Sequence, residues 1–318
     1  MADMTQRASL SILKPGPLTT VQDLGRPGFA GIGVTPGGAC DAISLRLGNL
    51  LVGNEEGAAA LEITLGGLVV RFERETTFAL TGAYAAASLG ERRIDGWRRY
   101  RAIAGDVLRI NFAEYEARLY LCVTGGIAAP ETLGSRSTSL TTGIGGFKGR
   151  ALRKGDALMI GEGDAPTGDA AIRAPERGGV LRVLPGPEWA RFDREIQQAL
   201  LTRTWRMATA SNRMGARLEG PSLVHDLPEL ASHAVQLGVI QLPPAGEPIL
   251  LLADAQTTGG YPKPLVVIQA DLWRAGQFRP GESVRFREVT RDEALAALRK
   301  QREWLESVGR RLRADFGG

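Results

Sequence analysis

Cysteine and histidine are nearly missing from this chain, with two of each in 318 residues. Cys40 and Cys122 lie far apart and form no Cys-x-x-Cys, so neither a disulfide framework nor a thiolate zinc site is expected. The two thiols suit a reducing compartment. His225 and His233 do not have the i, i+4 spacing of a helical metal pair, and each reads as a loop residue before it reads as a ligand. No metal site is expected. No apolar run approaches the roughly 18 residues of a membrane span. The opening MADMTQRASL has no basic stretch followed by an apolar one, so no signal peptide is expected. The net charge is a mild +4, and no Lys/Arg cluster is interleaved with aromatic residues, which argues against a nucleic-acid partner. These absences together lead to the expectation of a cytoplasmic protein with neither a nucleic-acid nor a membrane partner.

Glycine, by contrast, is abundant: 41 residues, where the average share of about 7% would give roughly half as many. The glycines and prolines separate short runs rich in Val, Ile and Leu, at residues 61–65, 68–72, 78–81, 107–112, 118–123, 158–160, 180–184, 206–208, 239–242, 249–252, 265–268 and 284–289. Many short strands between such turns indicate barrels or sandwiches. Three segments carry helical spacing instead. One starts at Asp41 with Ile43, Leu47, Leu50 and Leu51 on a face, and one runs from Pro187 to Leu201. The third begins with the capping box Thr290–Glu293 and continues through Leu295, Leu298, Leu305, Val308 and Leu312. The polar stretch DAPTGDAAIRAPERGG (164–179) reads as a linker, placing a boundary near residue 175. Two β-rich domains follow, 1–175 and 176–318, each with one helix, the second ending in the C-terminal helix.

Four stretches carry chemistry. TTVQDLGRPGFAGIGVTPGGACD (19–41) offers Gln22, Asp23 and Arg26 on a Gly-rich loop, either as a binding surface or as a turn in which Asp23 caps and Arg26 pairs with it. In GSRSTSLTTGIGGFKGRALRKGD (134–156) the Gly-Ile-Gly-Gly-Phe-Lys-Gly run fits neither the Walker nor the dinucleotide pattern. Its amides could still nest an anion, with Arg136, Lys148 and Arg150 nearby. In SNRMGARLEGP (211–221) Arg213, Arg217 and Glu219 either clamp a carboxylate or pair on the surface. LADAQTTGGYPKP (252–264) crosses between two apolar runs with Asp254, Gln256, Thr257, Thr258, Gly259, Gly260 and Tyr261, far more hydrogen-bonding capacity than a hairpin needs. No Ser-His-Asp or Cys-His arrangement is present. Acid–base chemistry would fall to Asp254, Tyr261 or Asp23, with Gln, Thr and backbone N–H groups as polarising donors.

Taken in order, TTVQDLGRPG, RLGNLLVGNEEGAAALEITLGG, GSRSTSL…GIGGFKGRALRKGD, NRMGARLEGP and DAQTTGGYPK…VIQADL resemble one family. It is known as allophanate hydrolase subunit 2, biotin-dependent carboxyltransferase, KipA or the 5-oxoprolinase C subunit. The resemblance covers residues 18 to about 290. It implies a mainly β chain of two tandem cyclophilin-like β-barrel domains. It also implies a partner, the homologous allophanate hydrolase subunit 1 or 5-oxoprolinase B subunit (KipI-like), joined by a LamB-like A subunit. Ala216 departs from the pattern, where an aromatic is expected, and Cys40 replaces the commoner Met.

Three functions follow from the resemblance. The first is a subunit of an ATP-dependent 5-oxoprolinase, incomplete alone, opening the lactam of 5-oxo-L-proline to L-glutamate. Its catalytic residues would be Asp254, Tyr261 and Asp23, and its substrate-binding residues Gln22, Arg26, Arg213, Gln256, Thr257, Thr258, Gly259 and Gly260. ATP would be used by the complex, at a site the sequence does not place. The second is carboxyl transfer to urea or a related amide. The chain has no Ala-Met-Lys-Met biotin attachment, so biotin would ride on another chain. The third is a non-enzymatic KipA-like antagonist of a sensor-kinase inhibitor.

Overall fold

The computed structural model describes residues 9–314. The chain forms two compact units. Within the described residues the first takes in the chain up to Arg26, Ala42–Pro175 and the residues from Leu305 on; the second takes in Pro27–Asp41 and Glu176–Trp304. The chain is thus mainly β, and both units draw on more than one stretch of sequence.

The first unit packs two sheets. One, of six strands, runs in the order Ala157–Leu158, Leu10–Pro15, Leu68–Phe72, Val107–Ile110, Ala87–Leu89, Arg92–Ile94; the other, of five, in the order Leu18–Gln22, Ala60–Thr64, Tyr115–Val123, Thr76–Tyr84, Arg99–Ala102. Alternate residues of both sheets meet in one core, with Leu10, Ile12, Val70 and Phe72 from the first against Leu61, Ile63, Leu80 and Leu121 from the second. Burying each such side chain contributes about 1.5–3 kcal/mol. The opposite face of the five-stranded sheet carries the helix Ala42–Leu51. Gly48 lets the two approach, because a Cβ there would stand 2.6 Å from Cys122 Sγ and 2.8 Å from Thr81 Oγ1. The helix is buried on nearly every side, including Ser44 and Asn49, rather than along the single expected stripe. Burial also pushes the Cys122 thiol pKa up, which leaves it an inert core residue.

The second unit closes a barrel of seven strands: Val180–Pro185, Leu265–Val267, Val239–Gln241, Ile249–Leu251, Gly215–Glu219, Trp205–Met207 and Ser283–Glu288. A parallel pairing of Val180–Pro185 with Ser283–Glu288 completes the ring. Trp205, Ala216, Leu218, Ile240, Leu250 and Leu265 fill it. Ala216 is fully buried there, so the small residue at this position serves barrel packing.

The expected helix over 187–201 is broken. A 3-10 turn, Trp189–Arg191, ends at extended Phe192, and a new helix, Arg194–Thr202, begins under Asp193, whose side chain accepts from Ile196 N. The capping box at Thr290 forms as expected, with Glu293 and Thr290 each accepting from the other's backbone N–H. The helix it starts runs from Arg291 to Ala314, but only Leu305, Val308, Gly309 and Leu312 are buried and Leu295 stays exposed. No helix among the described residues is long and apolar enough to cross a membrane.

Candidate functional site

The polar stretch 252–264 is a crossover, not a hairpin. The strands it joins, Ile249–Leu251 and Leu265–Val267, are not neighbours; Val239–Gln241 lies between them and pairs with both. The connection must pass over that central strand. On the way, Thr258–Gly259 pairs with His233–Ala234 as a small second sheet. Beneath lies a satellite cluster of Val235, Val239, Leu251 and Ala255, separate from the barrel core that holds Ile240. Side chains two apart on a strand point the same way, so Gln241 shares the outer face of Val239 and lies under the crossover.

At the loop's start, Asp254 accepts from Arg213 Nε at 2.8 Å and Nη2 at 3.0 Å. The same guanidinium donates to Gly38 O at 2.7 Å and to Cys40 Sγ at 3.3 Å. The backbone adds a bond from Asp254 N to Arg213 O. A bidentate, buried pair of this kind fixes the direction of the loop. Arg217 and Glu219, grouped with Arg213 in the sequence, instead sit on the exposed face of Gly215–Glu219.

At the loop's end, Lys263 is wedged between Pro262 and Pro264 and is only 3% exposed. Its Nζ donates to Tyr261 O at 3.1 Å and lies 3.8 Å from Glu188 Oε2. Desolvation holds the amine below its ordinary pKa, against the opposing pull of the Glu188 charge. Glu188 also accepts the Lys263 N–H at 2.8 Å, and its other oxygen lies 3.8 Å from His233 Nε2. This accounts for the break near Glu188: its carboxylate serves the crossover instead of a helix N-terminus.

Between these ends, Gln256 reaches down to Gln241, Nε2 to Oε1 at 3.5 Å. Gln241 is 1% exposed, and its Nε2 has no hydrogen-bond partner. Thr257 O accepts from Val235 N and Gly260 O from Leu230 N, so these two residues contribute backbone to the loop's own support. Gly260 is required by close approach, since a Cβ there would stand 2.7 Å from Leu230 O. Gln256 and Thr258 present side chains at the surface, and Tyr261 is half-buried.

The remaining expected residues belong to the first unit. Asp23 Oδ1 accepts from Ser135 Oγ, Ser137 Oγ and Gly25 N, and Oδ2 from Arg136 N, all within 2.5–2.7 Å. Arg26, 1% exposed, donates to the carbonyls of Thr132 and Ser137. Of the alternatives at this stretch, Asp23 does cap the loop, and Arg26 donates to backbone carbonyls. Gln22 is fully buried, with Nε2 bonded to Thr20 Oγ1 and Thr138 O. The Gly-rich run 143–149 packs on this hub: a Cβ at Gly145 would meet Ser137 O, and one at Gly146 would meet Thr138. Two of its three nearby cations are already engaged. Arg150 makes a two-bond pair with Asp156, and Arg136 donates to Ala129 O. His225 bonds Leu242 O and Leu227 N and stacks edge-on to Phe192, a structural role.

Gln241, Glu188 and Lys263 thus join the crossover without having been singled out in the sequence, together with His233, which the sequence offered as a loop histidine. The available signals were slight: a glutamine ending an apolar run, and a lysine enclosed by two prolines. Among the described residues no group of three or more His, Cys, Asp or Glu is placed to hold a metal ion.

A two-unit, mainly β chain whose polar crossover lies on a closed barrel is the architecture of a carboxyltransferase domain. The chain belongs to the family described as carboxyltransferase domain, subdomain A and B, which it matches over residues 32–288. It is 44% identical over 306 residues to the 5-oxoprolinase C subunit of Escherichia coli, covering 95% of this chain and 98% of that protein. To the 5-oxoprolinase C subunit of Haemophilus influenzae it is 39% identical over 302 residues, with the same coverage of 95% and 98%. Among solved structures it matches Kluyveromyces lactis urea carboxylase with a TM-score of 0.87 at 29% identity, over 97% of this chain and 30% of that one.

Proposed function

We propose that this chain is the C subunit of an ATP-dependent 5-oxoprolinase, converting 5-oxo-L-proline to L-glutamate together with a homologous B subunit of the KipI-like kind and a LamB-like A subunit. The observation that carries this reading is end-to-end correspondence with the Escherichia coli 5-oxoprolinase C subunit, 98% of whose length is covered. In the overall reaction the lactam C–N bond breaks. One water supplies the new carboxylate oxygen and the amine proton, and cleavage of ATP to ADP and phosphate consumes a second. ATP supplies the driving force for attack on an unreactive carbonyl; its site is not assigned to this chain.

Within the proposed site, Gln256 and Thr258 present side chains at the surface beside half-buried Tyr261, where a small amide would meet them. Asp254 acts as a carboxylate oriented by Arg213, which is itself committed to Asp254, Gly38 and Cys40. Lys263 is a buried amine of depressed pKa, which gives up its proton more readily than an exposed lysine. Asp23 and Arg26 hold the 132–138 loop in the first unit, and they would act on substrate only by leaving those partners. Co-purification with both partner subunits, followed by addition of 5-oxo-L-proline and ATP, should release glutamate and phosphate. Absence of glutamate with all three subunits present would overturn the proposal.

A second reading draws on the urea carboxylase likeness: carboxyl transfer to urea from biotin on another chain. It requires bicarbonate, a biotinylated carrier and a biotin carboxylase that charges the carrier at the expense of ATP, and it predicts urea-dependent ATP consumption only when carrier and carboxylase are both added.

A further inference from the structure

The amide of Gln241 is a buried group of the second unit whose position the fold does not explain. It lies at 1% exposure beside the apolar cluster of Val235, Val239, Leu251 and Ala255, where an aliphatic residue would pack better. Its Oε1 has only the long 3.5 Å bond from the surface residue Gln256, and its Nε2 has none. An unpaired buried donor is costly, and native structures keep very few of them without a use. The covering backbone is shaped around it. A Cβ on Gly259 would come within 2.6 Å of Gln241 Nε2 and 3.6 Å of Gln256 Nε2, so glycine lets the crossover backbone pack directly against both carboxamides, and a ligand reaches Gln241 only where Gln256 swings aside.

A primary carboxamide presents one donor and one acceptor side by side. Its complement is a cis amide, whose C=O and N–H lie on the same edge. Lactams and cyclic ureas have that edge; a trans peptide places the two groups on opposite sides, and a lactone lacks the N–H. We propose that Gln241 is the specificity-determining residue of the crossover site, reading the cis-amide edge of a lactam through Nε2 to the carbonyl oxygen and through Oε1 to the ring N–H, with Gln256 as the exchangeable cover. The identity of the lactam rests on the 5-oxoprolinase reading; the cis-amide selectivity does not.

The test uses the full chain with its partner subunits, without ATP, titrated calorimetrically with three probes: 5-oxo-L-proline, its lactone analogue 5-oxotetrahydrofuran-2-carboxylate, and the cyclic urea imidazolidin-2-one. The wild type should bind the lactam at least about tenfold tighter than the lactone, as expected of a site built to bond an N–H. Gln241→Met, close in shape and apolar, should erase that preference by weakening the lactam at least about tenfold more than the lactone, with the thermal midpoint unchanged or raised. Gln241→Glu, which keeps the acceptor and loses the donor, should weaken all three probes. An unchanged lactam-to-lactone ratio in Gln241→Met overturns the inference, as does a wild type that binds none of the three. Glutamate release in the presence of ATP separates the two claims. Release with an unchanged ratio sinks the role of Gln241 alone, whereas Gln241-dependent cis-amide binding without release sinks the 5-oxoprolinase reading alone.

Discussion

Arg213 grips Asp254 through two parallel bonds, Nε to Oδ2 and Nη2 to Oδ1, with side chains only 3% and 2% exposed. Removing one partner of a buried pair leaves the other charge uncompensated, a loss of about 3–5 kcal/mol. Asp254→Asn is therefore expected to lower the unfolding free energy measured by urea denaturation by an amount near that range. The double substitution Arg213→Met with Asp254→Leu should recover much of it, because apolar groups replace a pair costly to desolvate. Turnover should stay absent in the double variant; stable but active protein would show that Asp254 is not needed for chemistry.

Asp23 accepts four bonds, from Ser135, Ser137, Gly25 and Arg136. Each bond to a charged acceptor contributes roughly 1.5–3 kcal/mol. Asp23→Ala should therefore be among the most destabilising single changes in the first unit, by about 3 kcal/mol or more. Ser137→Ala removes one donor and should cost about 2 kcal/mol. Thermal unfolding of the two variants checks the order. If Asp23 were a catalytic group without a structural role, its loss would lower turnover and leave the midpoint unmoved.

The depressed pKa of Lys263 has a definite sign in stability. The native protein releases that proton below 10.5, the ordinary value, whereas the unfolded chain retains it up to there. Across this window the unfolded chain binds more protons, so the lysine's contribution to stability improves as pH rises and is least favourable at lower pH. Lys263→Met removes the term. Chemical denaturation across the alkaline range should show wild type gaining relative to the variant as pH approaches 10.5. A constant difference would mean that Lys263 titrates normally.

Two glycines near the crossover separate packing from function. A Cβ at Gly186 would stand 2.1 Å from Lys263 O, which is backbone and cannot swing aside, so Gly186→Ala should cost about 1–3 kcal/mol. At Gly259 the nearest obstacle is the flexible end of Gln241, so Gly259→Ala should cost less than about 1 kcal/mol. Because it displaces Gln241, it should nevertheless weaken lactam binding more than Gly186→Ala does. Paired denaturation and calorimetric titration measure both effects.

Much of the architecture was legible because apolar runs have to be buried. Leu68–Phe72 and Val180–Pro185 are strands within a residue of their expected bounds, and Thr290–Glu293 starts the helix its capping chemistry demands. Strands whose buried face is polar were not legible as strands. Leu18–Gln22 places Thr19, Thr20 and Gln22 inside, and it reads as part of a Gly-rich loop until Ala60–Thr64 pairs with it. Gly215–Glu219 alternates Ala216 and Leu218 inward with Arg217 and Glu219 outward, but only five residues carry that period.

The crossover shows the same division. Sequence alone determined that residues 254–261 carry unusual hydrogen-bonding capacity, because no hairpin needs an acid, an amide, two hydroxyls and two glycines between apolar strands. It also offered Arg213 as a carboxylate-binding guanidinium and Asp254 as an acid–base group. Only the tertiary structure decided that the two are each other's partners, because the barrel closes residues 41 positions apart into contact. It likewise decided that the loop spans the strand Val239–Gln241 and brings Gln241, Glu188 and Lys263 beneath it. Strand order is set by long-range pairing, which local residue patterns do not encode, and the unpaired amide of Gln241 exists only once that order is formed.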